Sequence, residues 1–258
     1  MNTILKEAKG GLAILRLNRP EKFNSFNREM SLLLQQYLDE ISNDKNIRCV
    51  MLTGVGKAFS AGQDLGEVSG DNPIAFSKIL GEHYNPIILR IRNLAIPVVA
   101  AVNGVSAGAG ANIALCCDIV VASSSASFIQ AFSKIGLVPD SGGTFFLPRL
   151  IGFQKAMAIA MLGDKISAAE AEAMGMIYKV FEDENFQSSA EGLAQKIASM
   201  PTLGLALTKK AMNASLDNTL EDQLKLEDEY QMIAGASNDY REGVNAFIEK
   251  RDPFFKGN

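Results

Sequence analysis

The sequence predicts an α/β fold that ends in a helical region. Short apolar, β-branched segments alternate with helical segments up to about residue 180. After Pro201 the sequence becomes helical in period, poor in glycine and charged on one face. The chain has 258 residues, of which 47% are hydrophobic and 21% charged, so it has enough apolar material for a sizeable core. Because no long linker interrupts it, we expect one structural unit with a core over residues 1–200 and a helical region over residues 201–258.

The individual elements follow from local patterns. Apolar runs bounded by turn residues predict strands at Leu12–Leu17 (LAILRL), 48–53 (RCVMLT), 98–102 (VVAAV) and 118–122 (DIVVA). Helical periodicity predicts helices at Arg28 to about Ile41, at 85–93, from IALCC onward, and over most of the chain after Thr202. Asn27 directly precedes the first of these helices and is the expected N-cap.

Charge and cysteine content exclude several classes of protein. The chain carries 25 Lys+Arg against 29 Asp+Glu, a net charge of −4, which gives no overall attraction to nucleic acid or an anionic membrane. Cys49, Cys116 and Cys117 are odd in number and include an adjacent pair, which fits neither a disulfide framework nor a metal site. No apolar run is long enough to span a membrane, and the first residues do not resemble a signal peptide. We expect a cytoplasmic protein without metal, whose partners are small molecules or copies of itself.

Two glycine-rich turns follow predicted strands. AFSAGQDL, residues 58–65, follows RCVMLT, and NGVSAGAGAN, residues 103–112, follows VVAAV and opens a helix. Such turns leave backbone N–H groups free at their ends, so two of them can direct two donors at one oxygen atom. The alternative is that Gly108 and Gly110 only allow the helix to pack closely. The second turn lacks the Lys-Ser/Thr of a phosphate-binding P-loop, and it does not follow the first strand as a dinucleotide fingerprint does.

Several motifs together resemble one family. They are AFSAGQDL, IPVVAAVNGVSAGAGANIALCCDIVVAS, FSKIGLVPDSGGTFFLPRLIG and EGVNAFIEKRDPFF, which occur in family order across essentially the whole chain. On these motifs the chain resembles the crotonase superfamily, also called the enoyl-CoA hydratase/isomerase superfamily. The resemblance implies a spiral of repeated ββα units with the acyl-CoA site over residues 1–200. It also implies a C-terminal helical region, residues 201–258, that assembles trimers or pairs of trimers.

The resemblance also implies an acyl-CoA thioester substrate and no cofactor beyond the coenzyme A of that substrate. In the family, two backbone N–H groups hold the thioester oxygen, and position matching places them on Gln63 and Ala109. Small residues shape the two turns, and residues of these turns contact the substrate. The residues expected to do so are Ala61, Gly62, Asp64, Leu65 and Gly108.

Acid and base groups choose the reaction in such a site. Position matching puts the two glutamates of family hydratases at Asn112 and Phe132, and neither residue is ionisable. Asp140, in LVPDSGGT, stands where several family isomerases carry a catalytic carboxylate, and one carboxylate is sufficient to move a proton between two carbons. The alternative for Asp140 is a helix N-cap or a turn residue before SGGT. Asn112 and Phe132 are then expected to line the substrate site.

The implied function is an acyl-CoA isomerase. RPEKFNSFN, AGQDL, YNP, AFSKIGLVPDSGGT and DYREGVNAF resemble the bacterial isomerases of phenylacetate breakdown that convert a ring 1,2-epoxide of phenylacetyl-CoA into an oxepin. Related members move a double bond of an enoyl-CoA from position 3 to position 2. An enoyl-CoA hydratase and a catalytically silent CoA-binding homologue are the alternatives.

Five further residues are candidates for contact with the substrate. The resemblance places Lys22 and Asn24 near the CoA pyrophosphate and nucleotide, although an exposed lysine is common at any surface position. Phe247 and Lys250 match a family FxxK pattern at the adenine and a CoA phosphate, often across a subunit boundary; the alternative is an ordinary amphipathic helix end. Tyr84 of the YNP motif is expected at the substrate. The neighbouring His83 is the only histidine, and a structural role is the favoured interpretation.

Overall fold

Three successive ββα units of the chain each add one strand to each of two sheets. The computed structural model describes residues 2–69 and 74–258. Strands within these ranges are β1 (Ile4–Lys9), β2 (Leu12–Leu17), β3 (Cys49–Gly54), β4 (Ala58–Ser60), β5 (Val98–Val102), β6 (Val105–Ala107), β7 (Ile119–Ser123), β8 (Ser127–Ile129), β9 (Lys165–Ser167) and β10 (Lys179–Phe181). α-Helices in the same ranges are α1 (Arg28–Asn43), α2 (Phe76–Lys78), α3 (Asn85–Asn93), α4 (Ala109–Leu115), α5 (Gly143–Ile151), α6 (Phe153–Leu162), α7 (Ala168–Ala173), α8 (Phe186–Ala198), α9 (Thr202–Ala214), α10 (Leu220–Gly235) and α11 (Asn238–Glu249). A π-helix spans Ile79–Tyr84, and short 3₁₀ helices span Pro20–Lys22, Leu65–Glu67, Ala131–Ile135 and Asp183–Asn185.

The two sheets follow one repeating path. The larger sheet has the order β1-β2-β3-β5-β7-β10 and the smaller one the order β4-β6-β8-β9. The pairs β3–β4, β5–β6 and β7–β8 each step from the larger sheet to the smaller one, and helical segments then return the chain. Neighbouring strands from β2 to β10 of the larger sheet are parallel, whereas β1 and β2 are antiparallel. This is the predicted α/β spiral of ββα units, and helices α9, α10 and α11 form the predicted helical C-terminal region.

The larger sheet separates two hydrophobic clusters. Side chains alternate between its faces, so that Leu12 and Ile14 pack with Phe186 of α8 in one cluster. Leu15 of the same strand belongs to the other cluster, which includes Leu34 of α1. All five residues of β5 are buried, as expected for a parallel strand covered on both faces.

Several predicted elements are confirmed with little change. β2, α3 and β5 have the predicted bounds, while β3 and β7 each begin one residue later than predicted. Helix α1 runs to Asn43, and the Asn27 side chain accepts a hydrogen bond from the Met30 N–H at 2.9 Å, which confirms the N-cap. Strand β1 and the short strands β4, β6 and β8 to β10 were not predicted.

Buried polar contacts connect helix α9 to the core and the last residues of the chain to helix α11. The Lys209 ammonium on α9 lies 2.8 Å from a carboxylate oxygen of Asp118 and donates to the Ile91 carbonyl at 2.7 Å. On α11, Asp239 accepts the N–H groups of Lys256 and Gly257 at 2.7 Å each, which holds the last residues against that helix. In the part of the chain that the structure describes, no helix is both long and apolar enough to cross a bilayer.

Candidate active site

The two glycine-rich turns meet, as their sequence predicts. Gly62 has a φ of 88°, and a Cβ atom there would lie 2.8 Å from the Ala107 carbonyl oxygen and 3.4 Å from the Ala109 nitrogen. The turn after β4 therefore packs directly on the turn after β6, and a side chain at Gly62 would push them apart. Glycine is needed at this position both for the positive φ and for the close approach.

Both predicted donors sit at this junction. The Phe26 N–H donates to the Gly62 carbonyl at 2.7 Å, and the Asp64 N–H donates to the Phe26 carbonyl at 2.8 Å. In such a bridge the intervening residue, Gln63, directs its N–H to the opposite side. Ala109 is the first residue of α4, where an amide has no partner within the helix. Neither N–H donates to an acceptor within residues 2–69 and 74–258.

Asp140 lies on a tight turn immediately before α5. The Gly143 N–H donates to the Asp140 carbonyl at 2.8 Å, and the two residues between them, Ser141 and Gly142, have φ values of 52° and 78°. Positive φ at both central positions is typical of a type I′ turn, which is unfavourable for a serine. The N-cap of α5 is Gly142, so the alternative of Asp140 as the N-cap is wrong, while its position in a turn is confirmed.

The environment of Asp140 favours its protonated form. Burial raises the pKa of the Asp140 carboxyl, and a hydrogen bond from the Ser141 hydroxyl to Oδ1, at 2.8 Å, opposes the increase. No positive charge in the described part of the chain offsets the effect of burial on this pKa. A carboxylate whose pKa lies above its ordinary value is a stronger base, which suits it to accept a proton from carbon.

The buried Asn112 side chain holds the Asp140 turn through a hydrogen bond. Its side chain is 0% exposed; Nδ2 donates to the Asp140 carbonyl at 2.8 Å, and Oδ1 accepts from Gln130 Nε2 at 2.8 Å. Because both ends of its amide are engaged inside the protein, the Asn112 side chain is fixed against the Asp140 turn, and substrate contact at this position stays a prediction. Phe132 is also buried, and its ring lies 3.8 Å from where a Cβ of Gly108 would be, so it packs against the second turn.

Tyr84 reaches the first turn from the π-helix. Its hydroxyl donates to Gln63 Oε1 at 2.9 Å, and Gln63 Nε2 donates to Glu67 at 3.0 Å. Burial raises the pKa of Tyr84 well above its ordinary value, and the negative charges of Asp140, Glu67 and Asp64 add to the increase. The phenol is therefore a neutral hydrogen-bond donor at physiological pH.

His83, the preceding residue, is 1% exposed, and burial is the main cause that lowers its pKa. Neither ring nitrogen has a hydrogen-bond partner among the described residues. A buried neutral imidazole in the core agrees with the favoured structural interpretation.

Two residues expected to contact CoA instead stabilise the loop beneath the first turn. Asn24 is 0% exposed, and its side chain bonds to the carbonyl groups of Val55 and Ala58 and to the Arg19 N–H, at 2.8 to 2.9 Å. Asp64 forms an ion pair with Arg19 at 2.8 Å and accepts from the Gly66 N–H. Burial alone would raise the pKa of Asp64, but the Arg19 and Gly66 hydrogen bonds lower it overall. Both side chains are therefore engaged within the protein, and the expected ligand contact at these positions, which in the family is made partly through the backbone, stays a prediction.

The remaining predicted contacts lie at the surface. Ala61 and Lys22 are exposed, and Leu65 is 57% exposed beside the first turn. Phe247 is 85% exposed and lines a cavity of about 660 Å³ between α9, α10 and α11. Lys250 ends α11. No residue of the two turns or of the Asp140 turn lines that cavity. Within one chain, the cavity beside Phe247 is therefore separate from the two turns and from Asp140.

Sequence reasoning missed the supporting residues of the site, which are Arg19, Glu67, Gln130 and Ser141. Arg19, Gln130 and Glu67 bond to segments far away in the chain, through Asp64, Asn112 and the Arg28 N–H respectively, and no local spacing marks these contacts. Only the pair Ser-Gly after Asp140 carries a local signal, because such residues tolerate positive φ. Across residues 2–69 and 74–258, no three His, Cys, Asp or Glu side chains converge in a way that could hold a metal ion.

Comparison with known proteins connects this geometry to a family. The model of the family described as enoyl-CoA hydratase/isomerase matches residues 7–258. The chain belongs to the enoyl-CoA hydratase/isomerase family. It is therefore an enzyme of the crotonase type, and the resemblance inferred from its motifs is confirmed.

Family members similar to this chain catalyse different reactions. The chain is 49% identical over 261 residues to the 1,2-epoxyphenylacetyl-CoA isomerase of Escherichia coli K12, covering 100% of this chain and 99% of that protein. It is 35% identical over 254 residues to the short-chain-enoyl-CoA hydratase of Clostridium acetobutylicum, covering 97% and 96%. A crystal structure of an enoyl-CoA hydratase from Bacillus anthracis superposes with a TM-score of 0.93 at 33% identity, covering 99% and 100%. Membership of the enoyl-CoA hydratase/isomerase family thus leaves isomerisation and hydration to be separated by the site.

Proposed function

We propose that this enzyme is an acyl-CoA isomerase in which Asp140 carries the proton. The N–H groups of Gln63 and Ala109 form the oxyanion hole. The observation that carries the proposal is that Asp140 stands alone. It is a partly buried carboxyl whose pKa is raised, while the two positions matched to hydratase glutamates hold Asn112 and Phe132. A mechanism that brackets a water molecule between two carboxylates has no second carboxylate at these positions.

The chemistry of a 3-enoyl thioester illustrates each role. Asp140 removes a proton from C2, and the electron pair of that C–H bond delocalises through the double bond and onto the thioester oxygen as a dienolate. The two N–H groups stabilise this oxygen, and a single such donor is worth on the order of 10²–10³ in rate. Asp140 then returns the proton to C4, which leaves the double bond between C2 and C3.

The ring 1,2-epoxide of phenylacetyl-CoA is the first substrate that we propose, because it also has an acidic C–H next to the thioester. Identity to the Escherichia coli isomerase supports this choice over a linear enoyl chain, which we propose as a second substrate. The reaction needs no cofactor beyond the CoA of the substrate.

We also propose that the C-terminal helices assemble a trimer or a pair of trimers. Exposed apolar side chains on α10 and α11, among them Met232, Phe247 and Ile248, support such an assembly. Phe247 and Lys250 would then contact the CoA held by a neighbouring copy, while Lys22, Ala61 and Leu65 border the CoA in their own chain.

The test is turnover of three thioesters: the ring epoxide of phenylacetyl-CoA, a 3-enoyl-CoA and a 2-enoyl-CoA. We expect isomerisation of the first two by the native enzyme and loss of this activity in Asp140→Asn, with CoA affinity and folding retained. Asp164→Asn is the matched control, because Asp164 is exposed and its side chain forms only a long surface ion pair, with Lys134, in the part of the chain that the structure describes. Isomerase activity that survives in Asp140→Asn would contradict the proposal.

Hydration is the second candidate, and the reaction named for the Clostridium acetobutylicum relative favours it. Water addition to the 2-enoyl-CoA at a rate independent of Asp140 would support it. CoA binding without turnover of any of the three thioesters would instead indicate a catalytically silent homologue.

A further inference from the structure

We propose that Tyr84 is a positioning residue that aims the Gln63 N–H of the oxyanion hole by holding the Gln63 side chain. This inference rests on the proposed function, in which the Gln63 N–H binds the thioester oxygen. The family resemblance assigns a role only to the main chain at position 63. The contacts of its side chain are a separate feature of this structure.

The Gln63 side chain is bonded at both ends of its amide. Oε1 accepts the Tyr84 hydroxyl at 2.9 Å, and Nε2 donates to Glu67 Oε2 at 3.0 Å. Glu67 is itself anchored, because its Oε1 accepts the Arg28 N–H at the start of α1, at 2.8 Å. A continuous chain of hydrogen bonds therefore connects the π-helix, the first turn and α1 through Gln63.

Tyr84 also contacts the residue that brackets Gln63 on the main chain. Its ring packs against Phe26 with the ring centroids 6.0 Å apart and the planes at 63°. Phe26 bonds through its main chain to both Gly62 and Asp64, the two neighbours of Gln63. Tyr84 thus constrains the side chain of Gln63 directly and its backbone neighbours through Phe26.

The π-helix gives Tyr84 a fixed base. Gln35 Nε2 of α1 donates to the carbonyl groups of Glu82 at 2.8 Å and His83 at 3.2 Å, directly before Tyr84. π-helical segments of this kind are rare and frequently occur at functional sites. Tyr84 is only 1% exposed, so its hydroxyl has a defined direction rather than a choice of rotamers.

The main-chain bonds between Phe26 and the two neighbours of Gln63 restrain this turn, and the held Gln63 side chain adds a second restraint. Gly62, which precedes Gln63, has a φ of 88° and no side chain to restrict it. The strength of a hydrogen bond falls steeply when its donor is misaligned, so a small rotation of the 62–63 peptide weakens stabilisation of the oxyanion. Fixing both ends of the Gln63 side-chain amide opposes that rotation together with the Phe26 bond to the Gly62 carbonyl.

The experiment is a double-mutant cycle of Tyr84→Phe and Gln63→Met, each of which keeps the shape of the side chain and removes the bond. We expect each single variant to lower kcat about 10- to 100-fold, the range for a modest displacement of a catalytic group, with little change in KM. The double variant should be no slower than the slower single variant, because both changes break the same link. Tyr178→Phe, at a tyrosine that is 65% exposed, is the matched control.

A second readout does not depend on turnover. Phenylacetyl-CoA labelled with ¹³C at the thioester carbonyl has neither an epoxide nor an acyl-chain double bond, so it binds without reacting, and the infrared frequency of its carbonyl reports polarisation by the two N–H groups. In both single variants this frequency should shift back towards the value in water, while Tyr178→Phe retains the native frequency.

Three outcomes would overturn the inference or separate it from the proposed function. Losses in kcat that multiply in the double variant would mean that Tyr84 acts on the substrate independently of Gln63. A native kcat and carbonyl frequency in Tyr84→Phe would mean that the bond positions nothing. If the native enzyme turns over none of the thioesters, the proposed function fails, and the carbonyl frequencies still decide whether Tyr84 aims the Gln63 N–H. Thermal unfolding shows whether each variant is folded. If Tyr84→Phe does not fold, Gln63→Met still removes the same hydrogen bond, and it does so at a residue that is only partly buried.

Discussion

Replacing Asn112 by alanine tests whether buried hydrogen bonds hold the Asp140 turn. The change removes the donor to the Asp140 carbonyl and the acceptor of Gln130 Nε2, each at 2.8 Å in a side chain that is 0% exposed. The Asp140 carbonyl keeps its bond from the Gly143 N–H, but the Gln130 amide, also buried, loses its partner.

The expected loss of stability follows from these two partners. A hydrogen bond whose acceptor keeps another donor contributes about 0.5–1.5 kcal/mol, and a buried donor left unpaired costs about 1–3 kcal/mol. We therefore expect Asn112→Ala to lower the free energy of unfolding by about 2–4 kcal/mol. With Ser141 and Gly142 at positive φ, the turn has a strained conformation to relax from, so kcat should fall by up to about 10²-fold.

Denaturant unfolding and steady-state kinetics measure both effects. Asn218→Ala is the control: Asn218 is exposed and, among the described residues, its side chain bonds only to Gln223, so its removal should change the free energy of unfolding by less than about 0.5 kcal/mol. If Asn112→Ala unfolded like the native enzyme and kept its kcat, the turn would be held by something other than this amide.

Three further predictions address other parts of the structure. Because burial raises the pKa of Asp140, the folded state binds the proton of this carboxyl more tightly than the unfolded chain does. The stability of the native protein should therefore fall as the pH rises from the ordinary aspartate pKa through the raised one. Thermal unfolding should show Asp140→Asn to be more stable than the native protein at pH 7 but not at pH 3. Lys209→Met should lower the free energy of unfolding by about 3 kcal/mol in urea, the low end for a buried pair, because Asp118 keeps a contact with Arg92 at 3.4 Å. Gly62→Ala would place Cβ 2.8 Å from the Ala107 carbonyl oxygen and separate the two turns, so kcat should fall about 10²-fold while the purified protein remains folded by circular dichroism.

Strong local patterns account for the parts of the fold that the sequence predicts well. VVAAV at β5 and LAILRL at β2 are apolar runs long enough to identify strands, and Asn27 carries the signal of an N-cap. The short strands β4, β6 and β8 have three residues each, too few for any periodicity to appear. They are extended because neighbouring turns of the spiral pair with them, which is a tertiary effect.

The residues of the site also divide into those that local sequence patterns predict and those whose contacts depend on the tertiary structure. Gly62 is recognisable because close approach and positive φ exclude other residues, Gly108 because of its positive φ, and both turns lie where their sequence predicts. Asn24 and Asn112 were expected to contact substrate because they lie inside the motifs, yet their amides are consumed by hydrogen bonds within the protein. Residue type and spacing indicate which segments form a site, but not whether a buried amide faces the ligand or the chain.

Ser141 makes it possible to separate backbone strain from electrostatics in the Asp140 turn. Its hydroxyl donates to Asp140 and opposes the effect of burial on the pKa of that carboxyl. Ser141→Ala and Ser141→Gly both remove the hydroxyl, so in both variants the pKa of Asp140 should rise further. Since the proposed reaction needs the carboxylate, the acid limb of kcat/KM should move to higher pH in both.

Only the glycine variant also relieves the φ of 52° at this position. An alanine keeps the unfavourable left-handed conformation, so Ser141→Gly should be more stable to urea than Ser141→Ala by about 1 kcal/mol. Equal stabilities would show that the turn carries no strain at Ser141. An unmoved acid limb would show that a group other than Asp140 controls the titration, and the proton carrier would then have to be sought elsewhere in the site.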